Sequence, residues 1–161
     1  MAKFDGFVIE NLNMLFKRDY LNEEEVEFLV AIKYTIDTGI NAIMNKRTNS
    51  FYSVLELSTE KNCSITKMKS LLNSLQKKGI IYELVNWIPI EEKNEDERKR
   101  ALFINPEVFF SKSENDINLI LASTVKKNDV IERNNIKPPF KIAVERGSAK
   151  LYRKLNFKWI K

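Results

Sequence analysis

The sequence predicts an α+β fold, mainly α, organised as a winged helix-turn-helix with a β-hairpin wing and extra N- and C-terminal segments. Three observations lead there. Two apolar stripes at helical spacing, within 51–60 and 65–78, are separated by a short polar turn. The helical period stops at Gly79 and gives way to a run rich in β-branched and aromatic residues at 80–88. After a wholly polar connection, Ala101-Leu102-Phe103-Ile104 reads as a returning strand. Three regions follow: an N-terminal helix within 1–20, the winged helix-turn-helix over 21–110, and a C-terminal extension with a basic tail over 111–161.

Along the chain, Phe4, Val8, Leu12, Leu15 and Phe16 recur at spacings of three or four and predict a short amphipathic helix. Its apolar face must be covered either by the domain's own core or by a dimer partner. A second helix starts at Asn22, a good N-cap, with Glu25 in the capping-box position three residues on. Glu23, Glu24 and Glu25 suit the positive end of the helix dipole. Val26, Leu29, Val30, Ile32 and Ile36 form its buried stripe, and Gly39 closes it. Residues 40–44 alternate as a short strand, and 45–49 form a polar loop. Ser50 then caps a helix to about Glu60, with Phe51, Val54, Leu55 and Leu57 inward. Ser64 caps the next helix, 65–78, whose Ile65, Met68, Leu71, Leu72 and Leu75 lie on one side. Beyond Pro106 the chain reads as helical or mixed to residue 123. Lys137-Pro138-Pro139 breaks regular structure. The segment 150–161 interleaves Leu151, Tyr152, Leu155, Phe157, Trp159 and Ile160 with basic residues and is too apolar for a disordered tail.

Composition narrows the chemistry. There is no histidine, and Cys63 is the single cysteine, so zinc sites of Cys and His and Ser-His-Asp or Cys-His catalysis are excluded. The glycines at 6, 39, 79 and 147 stand too far apart for a phosphate loop. No catalytic residue, metal or cofactor is assigned; a nuclease built on carboxylates alone finds no acidic cluster at a fitting spacing. Cys63 reads as a packing residue in a turn rather than a redox centre. No apolar run approaches a membrane span and no signal peptide is recognisable, so a cytoplasmic protein is expected. Residues 124–161 carry eleven Lys or Arg against three acids, while residues 1–123 carry a net −3. A tail so basic either contacts phosphates or is a solvated end.

The order helix, turn, helix, hairpin carries the functional argument. In a helix-turn-helix the second helix enters the major groove of double-stranded DNA. Subtracting the apolar stripe from 65–78 leaves Thr66, Lys67, Lys69, Ser70, Asn73, Ser74 and Lys77 outward. Every one is a donor and none is acidic. Thr, Ser and Asn can bond base edges, and the lysines suit phosphates or guanines. Ser64, Thr66, Lys67, Lys69, Ser70, Asn73 and Lys77 are therefore the candidate DNA contacts on this helix. On the wing, Arg98, Lys99 and Arg100 could reach the backbone, although Glu91, Glu92, Glu95, Asp96 and Glu97 oppose it. That wing is either a DNA contact or a solvated hairpin.

Three passages resemble the plasmid replication proteins of the RepL type from Gram-positive bacteria, a winged-helix family. They are Tyr34-Thr35-Ile36-Asp37-Thr38-Gly39-Ile40-Asn41; Cys63-Ser64-Ile65-Thr66-Lys67-Met68 leading to Ser74-Leu75-Gln76-Lys77-Lys78-Gly79-Ile80-Ile81; and Phe103-Ile104-Asn105-Pro106-Glu107-Val108-Phe109-Phe110. The Asn-Pro ending is the most specific of these. The wing is longer and more charged than the family pattern, and the basic C-terminal segment has no counterpart in it. The resemblance implies origin binding that helps open or mark a plasmid or phage replicon. Sequence-specific readout by a homodimer is expected because two helices one DNA turn apart read a palindromic site, with host replication or transcription machinery as a further expected partner. A transcriptional repressor or partition factor on the same fold, and a protein-interaction module that never touches DNA, stay open.

Overall fold

The computed structural model describes residues 6–37, 40–89, 91–110, 117–155 and 158–160. Phe4, Gly39 and Phe157, to which the sequence assigns roles in helix packing, helix ending and the apolar tail, lie outside them. The first helix, α1, spans Ile9–Lys17 and buries Leu12 and Leu15. Both side chains join the chain's own core, whereas Phe16, which its spacing places on the same face, is 47% exposed. Helix α2 (Glu23–Ile32) begins at the expected capping box, with the Asn22 side chain accepting from the Glu25 N–H and Glu25 accepting from the Asn22 N–H.

The second helix ends earlier than its apolar period predicts. A single 3₁₀ turn, Lys33–Thr35, follows Ile32, and β1 (Ile36–Asp37) then pairs with β2 (Ala42–Asn45). The reason is tertiary. Thr35 and Ile36 are β-branched and weak helix formers, and Ile36 gains a sheet partner in Ile43. Val30, expected inside, is 44% exposed. The next N-cap also moves. Ser50 and Phe51 form β3 against β2, and Ser53 makes the capping box with Glu56 that starts α3 (Val54–Glu60). Leu55 consequently points outward, whereas Val54 and Leu57 stay buried.

Helix α4 (Ile65–Lys77) forms where its stripe places it, capped by the Ser64 hydroxyl on the Lys67 N–H. Gly79 ends it with φ +72°; a Cβ there would lie 2.6 Å from Cβ of Val130. Gly79→Ala is therefore expected to cost about 2–4 kcal/mol, from left-handed strain plus overpacking. Chemical denaturation checks this, and an unchanged midpoint would refute it.

The expected mainly α winged helix-turn-helix is corrected at the sheet. Strands β4 (Ile81–Glu83) and β5 (Leu102–Ile104) do not stand out as a two-stranded wing. They belong to a five-stranded antiparallel sheet in the order β1-β2-β5-β4, with β3 added on β2. Two sequence features mislead. The run after Gly79 stays extended for three residues, then Val85–Trp87 make a 3₁₀ turn that sets the Trp87 ring 5.0 Å from the Phe103 ring. Meanwhile β5 takes β2 as its second neighbour through Ala42↔Phe103.

Strand alternation sorts the sheet's side chains to opposite faces. Ile43, Ile81, Leu102 and Ile104 face the core built with α1–α4. Ala42, Tyr82 and Phe103 face a second cluster containing Leu121, Ala122 and Val125 of α5 (Leu119–Asn128), with Ile142 and Ala149. These last two come from β6 (Phe140–Glu145) and β7 (Ser148–Leu155), which with β8 (Lys158–Ile160) form a separate antiparallel sheet. The short helix α6 (Val130–Arg133) links α5 to this sheet. The C-terminal third thus covers the face that a free wing would leave open.

Polar staples join the two halves. Buried Asn11 on α1 donates to the carbonyls of Glu107 (2.7 Å) and Phe140 (2.8 Å) and accepts from the Phe140 N–H. Asn105, from the Asn-Pro passage, donates to the Gly79 carbonyl and accepts from the Glu107 N–H, which turns the chain away from β5. The Glu107 carboxylate accepts from the Ile142 N–H at 2.9 Å. Lys141 stands among Glu107 (3.5 Å), Asp129 (2.8 Å) and Glu132 (3.1 Å).

Candidate nucleic-acid interface

Helices α3 and α4 are joined by a tight turn. Lys61 ends α3, Asn62 adopts φ +54°, and the Cys63 N–H donates to the Ser58 carbonyl at 3.0 Å. Asn tolerates this left-handed conformation better than most residues, and Ser64 can then open α4 at once. Cys63 is half-buried against the core, in keeping with a packing role. Met68, Leu71, Leu72 and Leu75 anchor α4 inward, so its opposite face is fixed in orientation.

On that outer face Ser64, Thr66, Lys67, Ser70, Asn73 and Lys77 are exposed, and Lys69 and Ser74 are half-buried. Thr66, Lys69, Ser70, Asn73, Ser74 and Lys77 line one shallow surface depression. The helix therefore brings together the residues that the sequence singles out along it. Its own residues include no acid, but acids from elsewhere reach them. Glu24 of α2 lies 3.5 Å from Lys67, and Asp96 of the β4–β5 connection lies 2.6 Å from Lys69. Asp96 holds the Lys69 ammonium above the usual lysine range. The Lys67–Glu24 pair is more than half exposed on both sides and contributes little to stability.

Glu25 has a structural role. It accepts from Ser74 (2.5 Å) and Lys78 (2.7 Å), tying the start of α2 to the end of α4. Burial pushes its carboxyl up, but Lys78, Ser74 and the Asn22 N–H together outweigh burial and leave it below the usual carboxylate range.

The connection from Val85 to Arg100 lies alongside α3 and α4. With Lys69 and Asn73 it encloses a cavity of about 350 Å³, lined also by Val85, Ile88, Arg98, Lys99 and Arg100. Of the three basic residues named on it, Arg98 is exposed. Lys99 donates to Glu56 of the α3 capping box at 2.6 Å, and Arg100 bonds Glu83 and Gln76, both at 2.9 Å. Burial raises the Glu56 carboxyl, yet Lys99 and the Ser53 N–H leave it lowered. Two of the three cations thus hold the loop in place. Sequence spacing carries no trace of these ion pairs, because their acids lie on other elements.

No family model and no solved structure matches the chain. A protein of Bacillus thuringiensis described as an uncharacterized 23.6 kDa protein is 26% identical over 125 residues, covering 76% of this chain. The chain spans 60% of that relative's length. No helix among the described residues is long and apolar enough to cross a membrane.

Proposed function

We propose that this protein binds double-stranded DNA in a sequence-specific manner, presenting the outer face of α4 to the major groove as a plasmid or phage replication initiator. The observation that carries this reading is the α3–turn–α4 pair, with an exposed face of hydroxyl, amide and ammonium donors held rigid by the buried stripe behind it. Asn73, Thr66 and Ser70 are suited to base edges, and Lys67, Lys69 and Lys77 to phosphates or guanines. Two copies are proposed to act as a dimer, because helices one DNA turn apart read a palindromic site.

Selection of bound duplexes from a random pool tests the reading, with affinity followed across salt. A palindromic consensus with a steep salt slope supports it, and no binding at moderate salt sinks it. Lys67→Ala combined with Lys69→Ala is expected to weaken binding and to reduce the salt slope by about 0.9 for each phosphate no longer neutralised.

The acids that face Lys67 and Lys69 favour a second reading, a protein-interaction module, for which the double variant leaves activity unchanged. Replication and repression separate on deletion of the gene from its replicon. Lost copy maintenance marks replication, and altered transcript levels alone mark repression.

A further inference from the structure

The β4–β5 connection carries Glu91, Glu92, Glu95, Asp96 and Glu97, charges that oppose DNA. It is fastened where it lies. The Leu55 N–H donates to the Asp96 carbonyl (3.0 Å), the Arg100 N–H to the Tyr52 carbonyl (2.9 Å), and the Lys99 N–H to the Glu91 side chain (2.8 Å). Ser53 and Lys99 add a bridge between the two backbones. The first two bonds anchor the loop to the beginning of α3 and the third closes the loop on itself, and Asp96 is thereby carried to α4, where its carboxylate sits 2.6 Å from the Lys69 ammonium. The 350 Å³ cavity beside this pair separates the rest of the loop from Lys69 and Asn73. The contact between the loop and this stretch of α4 is thus the direct Asp96–Lys69 pair at the edge of that cavity. Both side chains of the pair keep about a third of their surface exposed, at 38% and 34%, although the Asp96 Oδ1 that meets the ammonium is itself buried, so an incoming anion reaches Lys69 from its open side.

We propose that Asp96 is a built-in counter-ion that occupies Lys69 in place of a DNA phosphate and weakens duplex binding until it is displaced. This inference rests on the DNA-binding reading. Lys69 lies within the row of donors on α4, so a phosphate approaching that row meets an ammonium already neutralised. A partly exposed pair is weak, and a duplex that also bonds Thr66, Ser70 and Asn73 displaces Asp96 more readily than one that offers phosphates alone. The loop thereby lowers affinity for any duplex that places a phosphate on Lys69.

The test measures affinity for the selected duplex, or for a mixed-sequence duplex pool if no consensus emerges. It compares the full chain, Asp96→Asn and Glu92→Gln, each with and without Lys69→Ala. Glu92 is exposed on the same loop and controls for net charge. Asp96→Asn is expected to bind about two- to fivefold tighter than the unaltered chain, the range an exposed pair supports, with a salt slope steeper by about 0.9. Glu92→Gln gains less, and Lys69→Ala abolishes the difference between the two variants.

Equal gains from both variants, or a gain from Asp96→Asn that survives Lys69→Ala, would overturn it in favour of bulk charge. Unaltered affinity in Asp96→Asn while the chain binds DNA overturns this inference alone. Silence from both overturns the DNA reading with it. Asp96→Ser removes the same charge and repeats the comparison if the asparagine variant is poorly folded.

Discussion

Lys141→Met lowers the unfolding free energy by about 3–5 kcal/mol, the cost of leaving a buried carboxylate without its cation. The Lys141 side chain is 12% exposed and its ammonium faces Glu107, Asp129 and Glu132, and the Glu107 side chain is 2% exposed. Burial alone would depress the lysine, yet the three carboxylates, Glu107 foremost, hold it above its usual range. Burial raises the Glu107 carboxyl, and Lys141 offsets this only in part.

The signs give a pH signature. A raised lysine contributes stability that is complete below the ordinary lysine range, about 10, and is lost as pH rises through its folded value. A raised glutamate likewise favours the folded state at low pH and loses that preference as pH rises. The deficit of Lys141→Met is thus greatest near neutrality. It shrinks in acid, where the Glu107 carboxyl takes up its proton, and shrinks again above the ordinary lysine range, as pH passes the raised value at which the unaltered protein loses its ammonium. Urea denaturation across pH measures this. Adding Glu107→Gln to Lys141→Met restores part of the loss; a deficit flat with pH and untouched by the second change would assign the effect to packing.

Phe103→Ala is expected to cost about 3–5 kcal/mol, the range for emptying a buried aromatic site. Phe103 is 1% exposed and lies edge-on to Phe51 at 5.8 Å and Trp87 at 5.0 Å. It stands at the centre of the sheet, where β5 pairs with both β2 and β4. Its removal loosens the seat of Trp87 and with it the loop that runs on to Asp96. Trp87 fluorescence should therefore shift toward the solvent-exposed emission before global unfolding, alongside the drop in denaturation midpoint. A cost below about 1 kcal/mol would mean that the C-terminal cluster collapses onto the vacated space.

Elements with a local cause were legible in the sequence. Helix α4, its Ser64 cap, its Gly79 end and its outer row of donors follow from period and capping chemistry, which act within a few residues. The Asn22–Glu25 capping box has the same character, and so does the short strand after Ile40. What could not be read depends on partners far along the chain. Helix α2 stops at Ile32 because Ile36 finds Ile43. The run after Gly79 breaks because Trp87 folds onto Phe103.

At the candidate site the sequence by itself determined which donors share one helix face, since the helical period and the buried stripe leave no other arrangement. The tertiary structure decided which acids those donors meet, placing Glu24 at Lys67 and Asp96 at Lys69. It also decided that β4 and β5 lie inside a five-stranded sheet covered on both faces. The physical reason is one of range. Periodicity and caps are set by neighbours a turn away, whereas strand partners and counter-ions are chosen by burial and charge between segments that only the folded chain brings together.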